Sequence, residues 1–291
     1  MTPRSLGPGA PDVPPVGFGG MPLSISGRPP EAQGVRVLHA ALDAGMRLID
    51  TADVYCLDDG DTGHNERLIA AALATWSGPR ESILVATKGG LTRPQGRWEH
   101  NGRPEHLRRA CDRSLRALGV DRIDLYQLHA PDSGVPLAES VGMLAELQRA
   151  GKIRWIGLSN VSVAEIELAR RQVEVVSVQN RLNPFFREAL SEGVVQHCGR
   201  LGIGFLAYSP VGGGRLNRKL PEHPIVKAIA TRLKVSPHAV VLAWVLSQGP
   251  TVIVIPGART EDHARDSFAA GELALSSADL QAIDAAEFDR R

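Results

Sequence analysis

Short apolar runs alternate with longer stretches of helical periodicity along nearly the whole chain, and this alternation constrains the fold more than any other feature. Most of the runs are apolar at consecutive positions rather than at every second one, which is typical of parallel strands buried on both faces. The predicted strands lie at 16–19, 47–50, 83–88, 123–129, 153–160, 175–180, 203–210 and 252–256, and the first of them is rich in glycine.

Helix start and stop signals lie between the predicted strands. Ser162 and Glu165 have the spacing of a capping box, in which each side chain satisfies a free backbone N–H group at the start of a helix. Pro104 and Gly119 bracket another helix, because proline suits the first turn and glycine the position after the last turn. Such signals predict helices over 34–44, 104–118, 137–150, 163–171 and 278–286, and one more that opens at Ser236.

Eight alternating strand–helix units indicate a parallel sheet, and this number favours closure of the sheet into a barrel. The 291 residues and the 43% hydrophobic content are sufficient for one barrel of this kind. We therefore predict an α/β protein with a single (β/α)8 TIM barrel over residues 13–291, preceded by a flexible lead-in at residues 1–12. An open, doubly wound sheet is the alternative architecture.

The charge balance and the cysteines exclude several classes of function. Lysine and arginine total 33 against 32 aspartate and glutamate residues, so no overall field attracts nucleic acid or an anionic membrane. No apolar run reaches membrane-spanning length, and the N-terminal residues lack the apolar core of a secretory signal. Cys56, Cys111 and Cys198 form no spaced cluster, which fits the reducing cytoplasm. No metal site is predicted, since His100 and His106 also lack supporting ligands.

Polar residues repeatedly follow the apolar runs. In a barrel all strands end at one mouth, where active sites are built, so we expect these side chains to surround a shared pocket. Many barrels carry polar residues there, so the chemistry of the individual side chains has to decide what the pocket does. The residues at these ends are Asp50, Tyr55, Lys88, His129, Ser159, Asn160, Gln179, Asn180, Tyr208 and Ser209.

Four of these side chains form a set that suits proton donation to an oxygen. Tyrosine is a weak acid with a pKa of about 10, and a cation such as Lys88 held close would lower the pKa of Tyr55. Asp50 can be the partner that a buried lysine needs, and His129 can donate a hydrogen bond to a substrate oxygen. Read singly, Lys88 also suits a surface position or the Schiff base of an aldolase, and His129 suits a structural role.

Eight motifs extend this set over nearly the whole chain. They are GFGGMPLS at 17–24, LIDTADVY at 48–55, VATKGG at 85–90, LYQLHAPD at 125–132, GKIRWIGLSN at 151–160, VSVQN at 176–180, AYSPVGGG at 207–214 and IPGAR at 255–259. In this order they resemble the aldo-keto reductases, a (β/α)8 family that moves hydride between NADPH and a carbonyl group. The resemblance implies that Tyr55 is the general acid and that Asp50 and Lys88 tune it, with His129 completing a catalytic tetrad.

The resemblance also implies a binding site for NADPH or NADP+. Arg259 stands where the family grips the adenosine 2′-phosphate, a role that suits a planar charged fork, so NADPH is expected over NADH. The helix that starts near Thr260 would present its N-terminus to the same phosphate. The expected contacts are Ser159, Asn160 and Gln179 with the nicotinamide carboxamide, Tyr208 with its ring, Ser209, Val211 and Gly212 with the pyrophosphate, and further Pro210, Ile255, Gly257, Ala258, Arg259, His263 and Asp266.

The expected substrate is a small-molecule carbonyl compound. Segments 93–105 and 129–140 resemble bacterial members near the pyridoxal reductases, which suggests pyridoxal, a sugar or a natural-product intermediate. Trp98 is either a wall of the substrate pocket or a loop anchor, and Phe18 is a weaker candidate of the same kind.

Three questions stay open at this point. The acidic segment 58–61 favours a cationic substrate, whereas Arg93, Arg97 and His100 favour an anionic one. Two other functions remain compatible with the sequence, namely a cofactor-binding subunit that senses the redox state and a Schiff-base aldolase that uses Lys88. The oligomeric state is not predicted, and a monomer is possible.

Overall fold

The computed structural model describes residues 1–291 and has a single parallel sheet of eight strands at its centre. Gly17 N and Gly19 N donate to Val254 O and Pro256 O, both at 2.9 Å, and these bonds join the first strand of the sheet to the last. The sheet is therefore closed, and the predicted (β/α)8 barrel is confirmed. Its strands are β3 (Phe18–Gly19), β4 (Leu48–Asp50), β5 (Leu84–Gly89), β8 (Ile123–Leu128), β9 (Ile153–Ser159), β10 (Val175–Arg181), β11 (Gly204–Tyr208) and β12 (Val252–Val254).

Two antiparallel hairpins lie outside the barrel sheet. One consists of β1 (Arg4–Ser5) and β2 (Asp12–Val13) and lies at the N-terminus of the chain. The other consists of β6 (Leu91–Thr92) and β7 (Glu99–His100) and follows β5 on the side of the mouth.

Eleven α-helices connect the strands and surround the barrel. They are α1 (Glu31–Ala44), α2 (His64–Thr75), α3 (Pro104–Leu118), α4 (Leu137–Arg149), α5 (Val163–Arg170), α6 (Glu188–Ser191), α7 (Val194–Leu201), α8 (Pro224–Leu233), α9 (Pro237–Leu246), α10 (Glu261–Ala269) and α11 (Ser277–Ala285). The capping box of Ser162 and Glu165 is present at α5. No single helix is long and apolar enough to cross a membrane; α8 and α9 pass that test only as a pair, bent by 98°.

The hydrophobic core has two layers, because successive residues of a strand face opposite sides of the sheet. The inner layer fills the barrel and includes Leu48, Leu125 and Leu206. The outer layer lies between the strands and the helices. Phe18 belongs to this outer layer and is 1% exposed, so its predicted position in the wall of the substrate pocket is wrong. Its neighbours in the strand, both glycines, are the residues that face the barrel interior.

The first twelve residues include a hairpin that packs on the barrel, where the sequence had predicted a flexible lead-in. Hairpin β1–β2 covers the N-terminal end of the barrel, where Leu6 is fully buried in the inner layer. Leu6 O accepts a hydrogen bond from Gly204 N at 3.2 Å, and Arg4 Nη1 donates to Gly249 O at 2.9 Å. The glycine and proline content of this segment suggested disorder, but the open end of a barrel exposes apolar side chains that need a cover.

Leu6 provides a test of this cover. Replacing Leu6 with alanine should lower the free energy of unfolding by about 2–4 kcal/mol, because the change removes buried methyl groups and leaves a cavity. The measurement is urea denaturation of Leu6→Ala, with Leu168→Ala as the control. Leu168 is 38% exposed, so its replacement should change the free energy of unfolding by less than about 1 kcal/mol. Equal, small effects of the two substitutions would instead support a flexible lead-in.

Candidate active site

The barrel brings the four predicted tetrad residues together at its mouth. Asp50 is the last residue of β4, Lys88 lies near the end of β5, and His129 directly follows β8. These three strands are neighbours in the sheet, so their ends are adjacent. Tyr55 reaches the same place from a tight turn after β4, in which its backbone N–H donates to Ala52 O at 3.1 Å.

Lys88 is the centre of the site. Its side chain is completely buried, and Nζ donates hydrogen bonds to Asp50 Oδ2 at 2.7 Å, Thr51 O at 2.8 Å and Tyr55 OH at 3.0 Å. A lysine ammonium has three N–H donors, so each donor has one acceptor. The geometry therefore fits a charged lysine that directs one of its N–H groups to the phenol oxygen.

Two buried amides fix Asp50 in turn. Gln179 Nε2 donates to Asp50 Oδ1 at 2.7 Å, and Gln127 Nε2 lies 3.4 Å from the same oxygen. Gln179 was expected to hold the cofactor, whereas Gln127 was not identified from the sequence. Its position two residues before His129 was a usable signal, since residues two apart in a strand face the same side.

Burial governs the protonation of these groups. Burial, followed by the charge of Asp50, raises the pKa of Tyr55 well above its ordinary value, so the expected lowering of this pKa by Lys88 is not found. Burial also lowers the pKa of Lys88, against the opposing effect of Asp50. The pKa of His129 lies well below its usual range, first because of burial and then because of Lys88. At neutral pH the site thus holds a protonated phenol and a neutral imidazole.

Trp98 lies beside the two groups that would face a substrate. The centroid of its ring is 6.4 Å from that of Tyr55 and 6.3 Å from that of His129, and the centroids of Tyr55 and His129 are 5.8 Å apart. All three pairs meet edge to face. The Trp98 side chain is 45% exposed, so the geometry favours a wall of the pocket over a buried loop anchor.

Asn160 connects three of the strand ends around the expected nicotinamide position. Its Nδ2 donates to His129 O at 2.9 Å and to Ser159 Oγ at 3.1 Å, while its Oδ1 accepts from Tyr208 OH at 2.8 Å. Its φ of 59° is rare for a residue other than glycine and is tolerated best by asparagine. The predicted carboxamide and ring contacts therefore form one connected group beside the tetrad, which fits a nicotinamide.

The loop after β11 also has the backbone that a phosphate cradle needs. Ser209 has a φ of 47° and is held by a hydrogen bond from Asn183 Nδ2 to its carbonyl oxygen at 2.9 Å. Gly212 has a φ of 90°, and a Cβ atom there would lie 2.9 Å from Leu216 Cβ. Only glycine suits this position. Pro210 and Val211, the other predicted contacts, lie in the turn between these two residues.

The residues predicted to contact the adenosine lie around the start of α10. Arg259 is exposed, and its guanidinium donates to Pro22 O at 3.1 Å and to Ser26 O at 3.0 Å, which leaves Nη1 for a phosphate. Thr260 caps α10 by accepting from His263 N, so the start of that helix lies next to Arg259. Gly257 lies in the chain between β12 and Arg259 and is exposed.

Three of the predicted contacts have other roles. The side chains of Ile255 and Ala258 are 4% and 5% exposed and pack in the inner and outer layers of the core, so only their backbones are available to a ligand. Asp266 Oδ2 accepts a hydrogen bond from Ser236 Oγ at 2.6 Å. Ser236 is the N-cap of α9, so Asp266 joins α10 to α9 rather than pointing to the adenosine.

Two of the charged residues around the mouth are already paired. Asp61 accepts hydrogen bonds from Arg28 Nη1 at 2.5 Å and from Leu57 N at 3.1 Å. Arg97 pairs with Glu99 at 3.1 Å on the surface. Asp61 and Arg97 are therefore occupied by contacts within the protein.

Comparison with known proteins agrees with this geometry. The family model described as "Aldo/keto reductase family" matches residues 15–287. The chain belongs to the aldo/keto reductase family.

Individual relatives of this reductase cover almost its whole length. It is 34% identical to a probable aldo-keto reductase of Glycine max, over 97% of this chain and 88% of the relative. It is also 34% identical to an uncharacterized oxidoreductase of Schizosaccharomyces pombe, over 92% and 85%. The crystal structure of an aldo-keto reductase from Klebsiella pneumoniae in complex with NADPH superposes with a TM-score of 0.81 at 26% identity, over 98% of this chain and 95% of that one.

Two further carboxyl groups lie buried near the tetrad of this reductase. Glu66 Oε1 accepts a hydrogen bond at 2.6 Å from Oγ1 of Thr87, the residue before Lys88 in the chain. The backbone nitrogen of Asp53 lies 3.4 Å from Lys88 O. Burial, followed by the charge of Glu66, raises the pKa of Asp53 to about 8. Arg113 opposes this shift, but its contact with Asp53 is long, 3.4 Å, and its side chain is 39% exposed. Asp53 therefore holds a proton at neutral pH.

This proton makes stability depend on pH. Between a pKa of about 3.9 in the unfolded chain and a pKa of about 8 in the folded protein, only the folded state keeps the proton on Asp53. The free energy of unfolding therefore falls as pH rises through this window, by up to about 1.4 kcal/mol per pH unit. Asp53→Asn should remove this pH-dependent contribution to the free energy of unfolding. The stability of the variant minus that of the wild type should therefore increase with pH up to about 8 and then stay constant.

Urea denaturation across this pH range measures the effect, with Asp121→Asn, at an exposed position, as the control that should follow the wild type. A difference between Asp53→Asn and the wild type that does not change with pH would contradict a protonated Asp53.

Proposed function

We propose that this protein reduces an aldehyde or ketone to the alcohol with NADPH, and that Tyr55 donates the proton. The observation that carries the proposal is the hydrogen bond of 3.0 Å from a fully buried Lys88, itself 2.7 Å from Asp50, to the phenol oxygen of Tyr55. In this arrangement a cation is already in place beside the oxygen on which negative charge develops when the phenol gives up its proton.

The residues of the site divide the work as follows. When bound, NADPH supplies the hydride that reaches the carbonyl carbon, while the phenol of Tyr55 transfers its proton to the carbonyl oxygen. Lys88 stabilises the resulting phenolate, and Asp50 holds Lys88 in place. The neutral imidazole of His129 carries one N–H group, which can donate to the same carbonyl oxygen and so orient it.

Support for NADPH comes from the residues around the mouth. Ser159, Asn160 and Tyr208 form a connected polar group beside the tetrad, and the Ser209 loop provides backbone N–H groups for a pyrophosphate. Arg259 has one guanidinium nitrogen without a protein acceptor, which suits the 2′-phosphate. The Klebsiella pneumoniae reductase with the same fold is complexed with NADPH.

The substrate is a small carbonyl compound that enters beside Trp98. Pyridoxal, a sugar and a natural-product intermediate remain the candidates. The cysteines Cys56, Cys111 and Cys198 are all free and buried, which suits the cytoplasm that we expect for this protein.

The geometry favours the reductase over its two rivals. A Schiff-base aldolase needs a neutral amine that a substrate can reach, whereas Lys88 is completely buried and uses all three donors. A redox-sensing subunit has no need of a complete proton-donating set. Two experiments separate these functions. Loss of NADPH absorbance in a screen of aldehydes, ketones, sugars and pyridoxal identifies the reductase, because the sensor would bind NADPH without turnover. Treatment with borohydride and substrate would trap a covalent adduct only on the aldolase.

Substitution of Tyr55 tests the acid directly. Tyr55→Phe removes the proton and should slow carbonyl reduction by about 100-fold or more, the usual contribution of a positioned acid, while the Kd for NADPH, from quenching of protein fluorescence, stays within about twofold. Unchanged turnover in Tyr55→Phe would exclude Tyr55 as the acid.

The raised pKa of Tyr55 also predicts opposite pH profiles for the two directions. Reduction needs the phenol and should be constant from about pH 6 to about pH 9, because the pKa lies above this range. Alcohol oxidation needs the phenolate, whose fraction below the pKa increases about tenfold per pH unit, so its rate should rise throughout. A fall in the rate of reduction near neutral pH would show that the pKa of Tyr55 is lowered instead.

Arg259 tests the choice of cofactor. Arg259→Ala should weaken binding of NADPH by about 1.5–3 kcal/mol, the value of a hydrogen bond to a charged group, and leave NADH binding nearly unchanged. The control is Arg265→Ala in the same region, since Arg265 pairs with Asp262 at 3.2 Å on the surface of α10. Equal losses for NADPH and NADH would refute a contact between Arg259 and the 2′-phosphate.

A further inference from the structure

Two loops meet over the substrate side of the mouth, and Arg93 lies at their junction. The Leu57 loop (residues 56–61) follows Tyr55, and the Trp98 loop (residues 93–98) follows β6. Arg93 Nη2 donates to Leu57 O at 3.1 Å, and its guanidinium carbon lies 3.9 Å from the centroid of the Trp98 ring. One side chain thus contacts both loops.

The setting of Arg93 is unusual for an arginine. It is only 7% exposed, although no carboxylate lies within 4.0 Å of it, and Nε and Nη1 are buried without a hydrogen-bond partner. Buried charges are normally paired because loss of hydration is costly. The charge of Arg93 is stabilised instead by a hydrogen bond to one backbone carbonyl and by the negative face of an indole ring.

This contact determines where Trp98 stands. The indole is 45% exposed and would be free to change rotamer if nothing covered it. With Arg93 over its ring, it is held edge to face with Tyr55 and His129, about 6 Å from each ring centre. The Trp98 loop is further restricted because Gly96 packs close to Leu57 O, where a Cβ atom would lie 3.2 Å away.

We propose that Arg93 is a positioning residue for substrate specificity. By stacking on Trp98 it holds the indole as a fixed wall beside Tyr55 and His129, and this wall selects carbonyl compounds that carry a flat aromatic ring next to the carbonyl group. Pyridoxal belongs to that class. The inference rests on the proposed reductase function, and it adds a residue that does not contact the substrate itself.

A comparison of benzaldehyde with propanal tests this role, because only benzaldehyde has a ring to pack on Trp98. Arg93→Met should raise KM for benzaldehyde by about fivefold or more, which corresponds to the loss of one aromatic contact, and should change kcat less. KM for propanal should change by less than about twofold. Trp98→Ala should have the same effect, and Arg93→Met should add nothing in the Trp98→Ala background, since Arg93 acts through Trp98.

The control is Arg97→Met, which removes an exposed arginine of the same loop that pairs with Glu99 and should leave both substrates unaffected. Arg93→Lys keeps the charge but loses the planar group, so it should resemble Arg93→Met and serves if that variant folds poorly. Equal losses for benzaldehyde and propanal, a wild-type profile in Arg93→Lys, or additive effects in the double variant would overturn the proposal.

Acrylamide quenching of Trp98 fluorescence, taken as the difference from Trp98→Phe, gives a second measure that requires no turnover. Arg93→Met should increase the quenching constant of this component, because the indole loses its cover, and Arg97→Met should not. An unchanged constant in Arg93→Met overturns the positioning role. Absence of turnover by the wild type with every carbonyl would instead defeat the proposed function, so the two failures are distinguishable.

Discussion

The buried ammonium of Lys88 is the interaction on which the site depends. Burial of a lone charge is strongly unfavourable, so Lys88 requires the carboxylate of Asp50, the carbonyl of Thr51 and the phenol of Tyr55 around it. The barrel meets this requirement by ending neighbouring strands at one mouth. Asp50 in turn requires the amide of Gln179, and the arrangement therefore extends across the barrel from β4 to β10.

The same burial determines the chemistry of the groups around Lys88. It keeps the phenol of Tyr55 protonated and the imidazole of His129 neutral, so that one group can give a proton and the other can orient the acceptor. Asp53 follows the same rule just behind the site, where its carboxyl group keeps a proton at neutral pH. Tyr55, His129 and Asp53 are therefore neutral around the Lys88–Asp50 pair, which strengthens the effect of that pair on any charge that develops nearby.

The barrel and the grouping of polar side chains at its mouth were predictable from the sequence because both depend on where apolar runs begin and end. Consecutive apolar runs indicate buried parallel strands, and Asp50, Lys88 and His129 stand where such runs end. Features that depend on contacts between distant segments were not predictable. Phe18 faces away from the pocket because the two glycines beside it point inward, and Leu6 is buried because it covers the end of the barrel. Arg93 stacks on Trp98 within its own loop and donates to Leu57 O of the other loop, a link that neither loop shows alone.

The charge of Lys88 is the central claim, and nitrogen-15 NMR of the lysine side chains tests it most directly. The Nζ resonance of Lys88 can be assigned by its absence in Lys88→Met and followed from about pH 5 to about pH 9. The account predicts an ammonium resonance over the whole range, because all three donors have acceptors. A neutral amine at about pH 7 would contradict it, since Tyr55 would then have no cation beside its oxygen.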